Sequence, residues 1–350
     1  MPGLSPAGRP IGGEDVNGNP RLVLCFGELL LRLSSPRGEG MLQGARLDAH
    51  FGGAEGNVAV ALARLGLRSA MVSALPDDAV GDAAIESLRK AGVDTSRVVR
   101  APGRMGLYFL TPAAGVSSGS VIYDRAESVF AATRHYDWPA LLAGAGWLHL
   151  SGIIPALGPE MAEVGLAAIA AARAAEVRVS FDGNFRGSLW SRWCPDPGPI
   201  LAEYIDGADL LFGSHRDLAL VLGREFGGKG EARQHEAAQA AFERFPQLAA
   251  VASTSREILG SDYHRVSARI DTRSDAFSAP AIEVSGIVDR IGTGDAFAAG
   301  VLAHLGEGLE AAATVGLALS ALKHGIAGDH STTTPRDLVG FISGQGDVRR

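Results

Sequence analysis

Val288-Asp289-Arg290-Ile291-Gly292-Thr293-Gly294-Asp295-Ala296-Phe297-Ala298-Ala299-Gly300 joins a glycine-containing turn to the start of an Ala-rich run. The glycines permit a tight turn, and the run after them reads as a helix. The first N–H groups of such a helix have no carbonyl behind them, and its dipole favours negative charge. The stretch therefore predicts an anion site suited to phosphate. Asp295 has two readings here: a helix N-cap, or a base that takes the proton of an attacking hydroxyl beside bound phosphate. Other patterns do not fit. The dinucleotide fingerprint needs a third glycine where this loop has Phe297, and the Walker-like run from Gly223 to Lys229 ends in Gly230 instead of Ser or Thr. The nine histidines show no His-Glu-x-x-His spacing.

The chain around this turn alternates short apolar runs with helical periodicity. Residues 22–26 form a continuous apolar run suited to a strand buried on both faces. After Gly52-Gly53, the residues Val58, Ala61, Leu62 and Leu65 recur at helical spacing until Gly66. Strands are predicted over 70–75, 147–150, 177–181, 210–212 and 249–253, helices over 80–91 and 160–175, and mostly helix after Gly294. This order predicts a three-layer α/β/α sandwich with a mostly parallel sheet and ligands at the C-terminal strand ends. Two stretches break the rhythm with β-like runs and predict a small β lid from about 32–53 and 104–136. Residues 1–20 read as a loose leader, and 21–350 as one domain.

Composition narrows the function classes. Asp plus Glu outnumber Lys plus Arg by 39 to 32 over 350 residues, a net charge of −7, which argues against nucleic acid as a partner. Only Lys90, Lys229 and Lys323 are lysines, so an anion site must use arginine, helix N-termini and backbone N–H groups. Two cysteines, no bilayer-length apolar run and no signal-peptide pattern give a cytoplasmic expectation with no membrane partner.

The 289–295 segment, taken with Gly53-Ala-Glu-Gly-Asn57-Val-Ala-Val-Ala-Leu-Ala-Arg-Leu-Gly66, resembles the two signature regions of the PfkB, or ribokinase-like, carbohydrate kinases. The resemblance implies ATP and Mg²⁺, phosphate binding by Gly292, Thr293 and Gly294, and Asp295 as catalytic base. It also implies sugar contacts from Gly53 and Asn57. Further stretches are similar to the branch of that family acting on 2-keto-3-deoxygluconate: Gly27-Glu-Leu-Leu-Leu-Arg-Leu33, Gly106-Leu-Tyr108-Phe-Leu110, Val121-Ile-Tyr123-Asp-Arg125-Ala126, Asn184-Phe-Arg186 and Lys323-His-Gly-Ile-Ala-Gly328-Asp329. They imply a six-carbon sugar acid, its carboxylate clamped by Arg125 and Arg186, with Tyr108, Tyr123 and Asp329 at the sugar.

The chain departs from the family at two places. Ser214-His215-Arg216-Asp217 stands where members often carry Asn-x-x-Glu, leaving Asp217 as an indirect metal contact. Ser253-Thr254-Ser255-Arg256-Glu-Ile-Leu-Gly260 replaces a Lys-x-Gly nucleotide turn, so Ser253, Thr254 and Ser255, with Asn184, are the expected nucleotide contacts. The competing expectations are a kinase for a neutral sugar such as fructose or ribose, and a non-catalytic sugar or nucleotide sensor. Exposed lid strands lead to the expectation of a homodimer or larger homo-oligomer.

Overall fold

Residues 22–115 and 118–344 are described by the structure, a computed structural model. The expected leader over 1–20 lies outside the described residues. In chain order the strands are β1 (Leu22–Phe26), β2 (Leu30–Ser34), β3 (Asp48–Gly52), β4 (Ser69–Pro76), β5 (Val98–Ala101), β6 (Gly106–Thr111), β7 (Ser120–Asp124), β8 (Ala145–Ser151), β9 (Arg178–Asp182), β10 (Leu210–Phe212), β11 (Ala250–Gly260), β12 (Tyr263–Thr272) and β13 (Ala276–Ser285).

A nine-stranded sheet runs β13-β12-β11-β10-β9-β8-β1-β4-β5. It is parallel from β11 to β5, and β12 and β13 add antiparallel strands at one edge. Alternation along β1 shows why the middle strands read as unbroken apolar runs. Leu22, Leu24 and Phe26 enter the core beneath the helix Pro159–Ala174, while Val23 and Cys25 enter the core on the other face. That second core receives Val58 and Leu62 from the helix Ala54–Arg64, and Val301 from the helix Thr293–His304. Each large apolar side chain so buried contributes about 1.5–3 kcal/mol. Among the described residues, no helix is long and apolar enough to cross a membrane.

A separate four-stranded sheet, β3-β2-β6-β7, comes from the two irregular stretches. The chain passes from β1, an interior strand of the large sheet, straight into β2, so the small sheet stands over the carboxyl ends of β1, β8 and β9. Strand order reverses between β1 and β8, the position where open α/β sheets leave a crevice.

Two parts differ from the sequence expectation. The strand expected to end at 253 continues as β11 to Gly260, so the stretch read as a nucleotide turn is extended backbone paired with β12. The C-terminal region is also less helical than expected. The helix Leu309–Lys323 stops, and residues 324–334 cross the crevice before the helix Pro335–Ile342. Gly328, at φ 82°, and Pro335 explain the interruption, which delivers Asp329 to the site.

Candidate active site

The glycine turn has a steric reason. Gly292 is left-handed at φ 82°, and a Cβ there would lie 2.0 Å from the Asp329 carbonyl oxygen. Gly294 faces open space, so an anion can approach the first turn of the helix Thr293–His304 directly. Asp295 is not the N-cap. Gly292 holds that position, and no side chain caps the helix.

Asp295 Oδ2 accepts a hydrogen bond from Asn57 Nδ2 at 2.6 Å. Burial pushes the Asp295 carboxyl up to about 6, and Asp329 adds to the rise, while Asn57, Arg186 and Lys323 oppose it. The group is therefore an ionised but basic carboxylate at neutral pH. Asn57 belongs to the first turn of the helix Ala54–Arg64, anchored through its N–H to the Gly53 carbonyl at 2.7 Å. Gly53, at φ 145°, lies so close to Glu28 that a Cβ would meet its carbonyl oxygen at 2.1 Å.

These groups line a cleft of about 340 Å³ between the two sheets. Tyr108, Tyr123 and Arg125 come from the small-sheet side; Asn184, Arg186 and Asp329 come from the body. The Tyr108 and Tyr123 rings are 5.8 Å apart, and the Arg125 guanidinium lies 5.7 Å from the Tyr123 ring centre. The cleft thus brings together Asp295, Asn57, Gly53, Tyr108, Tyr123 and Arg125, together with Arg186 and Asp329.

Much of the charge here is already paired. Arg125 Nε and Nη2 both donate to Glu28 Oε2, and the Ser128 hydroxyl donates to Glu28 Oε1. Arg32 Nη1 lies 2.7 Å from Asp289 and 3.0 Å from Asp329, and the Tyr108 hydroxyl donates to the other Asp329 oxygen at 2.5 Å. Asp289 also accepts from the Ile291 and Gly328 N–H groups. This network ties β2 and β6 of the small sheet to the glycine turn. Lys323, fully buried beneath the turn, donates to the Ile326 carbonyl at 2.9 Å. Arg186 differs: its guanidinium donates to the Phe185 carbonyl at 3.2 Å and, among the described residues, has no carboxylate ion pair.

A second pocket of about 360 Å³ lies on the other side of the turn and shares Thr293 and Gly294 with the first. Thr254, Ser255, Arg256, Ser267, Ser320 and His324 line it. Ser253 is buried and does not line this pocket, and Asn184, expected on the nucleotide side, lies in the first cleft. Asp217 caps its own helix: its Oδ2 accepts from the Ser214 N–H at 2.7 Å and hydroxyl at 2.8 Å. Among the described residues, no cluster of three or more His, Cys, Asp or Glu is placed to hold a metal ion.

Sequence reasoning missed several charged groups. Asp182, at the end of β9, lines the first cleft, its carboxyl pushed up to about 8 by burial and by Asp295 and Asp217. Glu55 lines it too, its carboxyl pushed up to about 7, mainly by burial, and its Oε1 without a partner. Glu28 and Arg32 also escaped notice, since their partners lie far away in the chain. The continuous motif Gly53-Ala54-Glu55-Gly56-Asn57 held the one available signal, an acid inside a buried turn.

A buried carboxylate at a helix N-terminus stands where a small polar cleft meets a second pocket, an arrangement that suits phosphoryl transfer. The chain belongs to the pfkB family of carbohydrate kinases, whose profile matches residues 20–334. It is 31% identical over 336 residues to a 2-dehydro-3-deoxygalactonokinase of Haloferax volcanii, covering 92% of this chain and 96% of that protein. It is 30% identical over 337 residues to a 2-dehydro-3-deoxygluconokinase of Bacillus subtilis, covering 94% and 97%. The crystal structure of a 2-dehydro-3-deoxygluconokinase from Thermotoga maritima superposes with a TM-score of 0.88 at 33% identity, covering 93% of this chain and 98% of that one.

Proposed function

We propose that this carbohydrate kinase transfers the γ-phosphoryl group of ATP to the terminal hydroxyl of 2-keto-3-deoxygluconate, forming the 6-phosphate. The observation that carries this reading is Asp295, which joins the sugar-sized cleft to the phosphate turn with its carboxyl near 6. Relatives acting on 2-keto-3-deoxy sugar acids, about 30% identical over more than nine-tenths of the chain, support the substrate class.

Asp295 accepts the proton of the terminal hydroxyl while Asn57 orients its carboxylate. The freed oxygen attacks the γ-phosphorus in line, the bond to the β-phosphate oxygen breaks, and ADP leaves with that electron pair. The N–H groups of the helix start at Thr293 face the charge on the transferring group. Mg²⁺ bound with ATP would neutralise phosphate charge. The crowded carboxylates Asp182 and Asp217 suit a cation held through coordinated water, the form in which Mg²⁺ commonly binds. Arg186, lacking a carboxylate partner, takes the substrate carboxylate, and Arg125, held by Glu28, offers its remaining Nη1.

The small sheet closes the cleft and limits ATP hydrolysis. Its edge strand β7 exposes Ile122 on the face away from the cleft, a surface suited to a homodimer. ATP consumption against 2-keto-3-deoxygluconate, its galacto epimer, fructose and ribose tests the reading. Turnover of the two acids far above the neutral sugars is expected. Equal turnover of fructose or ribose would point to a neutral-sugar kinase, and binding without turnover to a sensor.

A further inference from the structure

Two arginines flank the junction between the pockets. Arg290, just before the glycine turn, lines the sugar-side cleft, and Arg256, on β11 opposite Val266 of β12, lines the second pocket. Both pockets share Thr293 and Gly294. Among the described residues, neither guanidinium has an ion pair or hydrogen bond, whereas Arg32 and Arg125 are each ion-paired with carboxylates close by.

The two arginines are near enough to repel. Arg256 is lowered from its ordinary pKa by burial and by Arg290, and no carboxylate offsets this. His264 of β12 is fully buried beside them with neither ring nitrogen partnered. It is lowered by burial and then by Arg256, Arg290 and His324. His324, its Nδ1 engaged by the Ser320 carbonyl at 2.7 Å, is lowered as well, chiefly by burial. Two guanidinium groups, with two imidazoles behind them, therefore gather around the turn, and among the described residues neither guanidinium has a counter-ion. Such clustering opposes folding unless an anion settles there. The pockets on either side give that anion an extended shape, one end at the sugar and the other beneath β11.

We propose that Arg256 and Arg290 grip the polyphosphate of the phosphoryl donor from opposite sides of the Gly-Thr-Gly turn. Arg290 meets the transferring phosphoryl group, and Arg256 meets the phosphates left on the departing nucleotide. This assignment rests on reading the junction as the donor site. It accounts for a donor site that contains no exposed lysine: planar guanidinium groups supply the phosphate contacts that a lysine turn would otherwise make. As the γ-phosphorus passes between sugar oxygen and leaving oxygen, Arg290 offsets charge on its equatorial oxygens without exchanging a proton.

Calorimetric titration of ATP, ADP and AMP into the full-length protein, without sugar, tests this. Arg256→Gln is expected to weaken ATP and ADP binding about tenfold or more and leave AMP unchanged. Arg290→Gln is expected to weaken ATP binding, spare ADP and AMP, and lower kcat by about 100-fold or more. Arg256→Lys and Arg290→Lys should fall between wild type and the Gln variants. Unchanged ATP and ADP affinity in both Gln variants would overturn the proposal, as would an equal loss for AMP. Failure of the wild type to bind any nucleotide would instead overturn the kinase reading itself.

Discussion

The two pockets that meet at Thr293 and Gly294 treat charge in opposite ways. On the sugar side, Glu28 holds Arg125, and Asp289 and Asp329 hold Arg32, while Arg186 has no carboxylate partner among the described residues. Beyond the turn, Arg256 has no acidic partner among the described residues. Paired charges fix geometry with little net pull on a ligand, whereas unpaired ones attract an anion. On the proposed reading the sugar side is built for shape, with Arg186 as its unpaired contact for a carboxylate, and the donor side, where Arg256 and the neighbouring Arg290 stand, for a polyanion. Asp295 stands where the two meet.

The most severe way to break this arrangement is Asp295→Asn, which keeps shape and the Asn57 contact but removes the base. It should lower kcat by about 10² to 10⁴ while the protein still binds nucleotide. Near-normal turnover would place proton removal elsewhere. Glu28→Gln attacks the paired side by leaving Arg125 buried without its counter-charge. A loss of about 3–5 kcal/mol in urea unfolding is expected, and an unchanged midpoint would show that the pair is not holding the small sheet to the body. Arg186→Ala should cost about 1.5–3 kcal/mol in sugar-acid binding and little for neutral analogues. If both classes weaken alike, Arg186 does not read the carboxylate.

Smaller effects appear in pH dependence. The base works ionised, so kcat/KM should fall as pH drops through about 6, and Asp295→Asn should flatten that limb. Glu55 affects folding with the reverse sign. Its carboxyl is raised to about 7 in the folded protein, so the fold binds a proton that the unfolded chain releases near 4.5. The stability it contributes is complete below that lower value and is lost as pH rises through about 7. Glu55→Gln should thus raise Tm by a few degrees at pH 8.5 relative to wild type and much less at pH 5.

The parallel sheet was legible in the sequence because continuous apolar runs such as 22–26 separate helical stretches, and the glycine turn because Gly292, Gly294 and Asp295 lie close together in the chain. The β12 and β13 edge went unread although its signal was present: Val266, Ala268 and Ile270 alternate with Arg265, Ser267 and Arg269 in the period of two of a half-buried strand. The paired charges, by contrast, were hidden. Glu28 and Arg125 lie 97 positions apart, and Arg32 and Asp329 297 apart, so only the packed fold brings them together. Asp217, expected by analogy as an indirect metal contact, also closes a capping box, a local role that its spacing from Ser214 could have signalled.

The position of the transferred phosphate tests the central claim most directly. Wild-type protein incubated with ATP and 2-keto-3-deoxygluconate should give ADP and one sugar phosphate whose phosphorus couples by NMR to the protons of C6. Phosphate on another carbon, or free phosphate with unchanged sugar acid, would contradict the account.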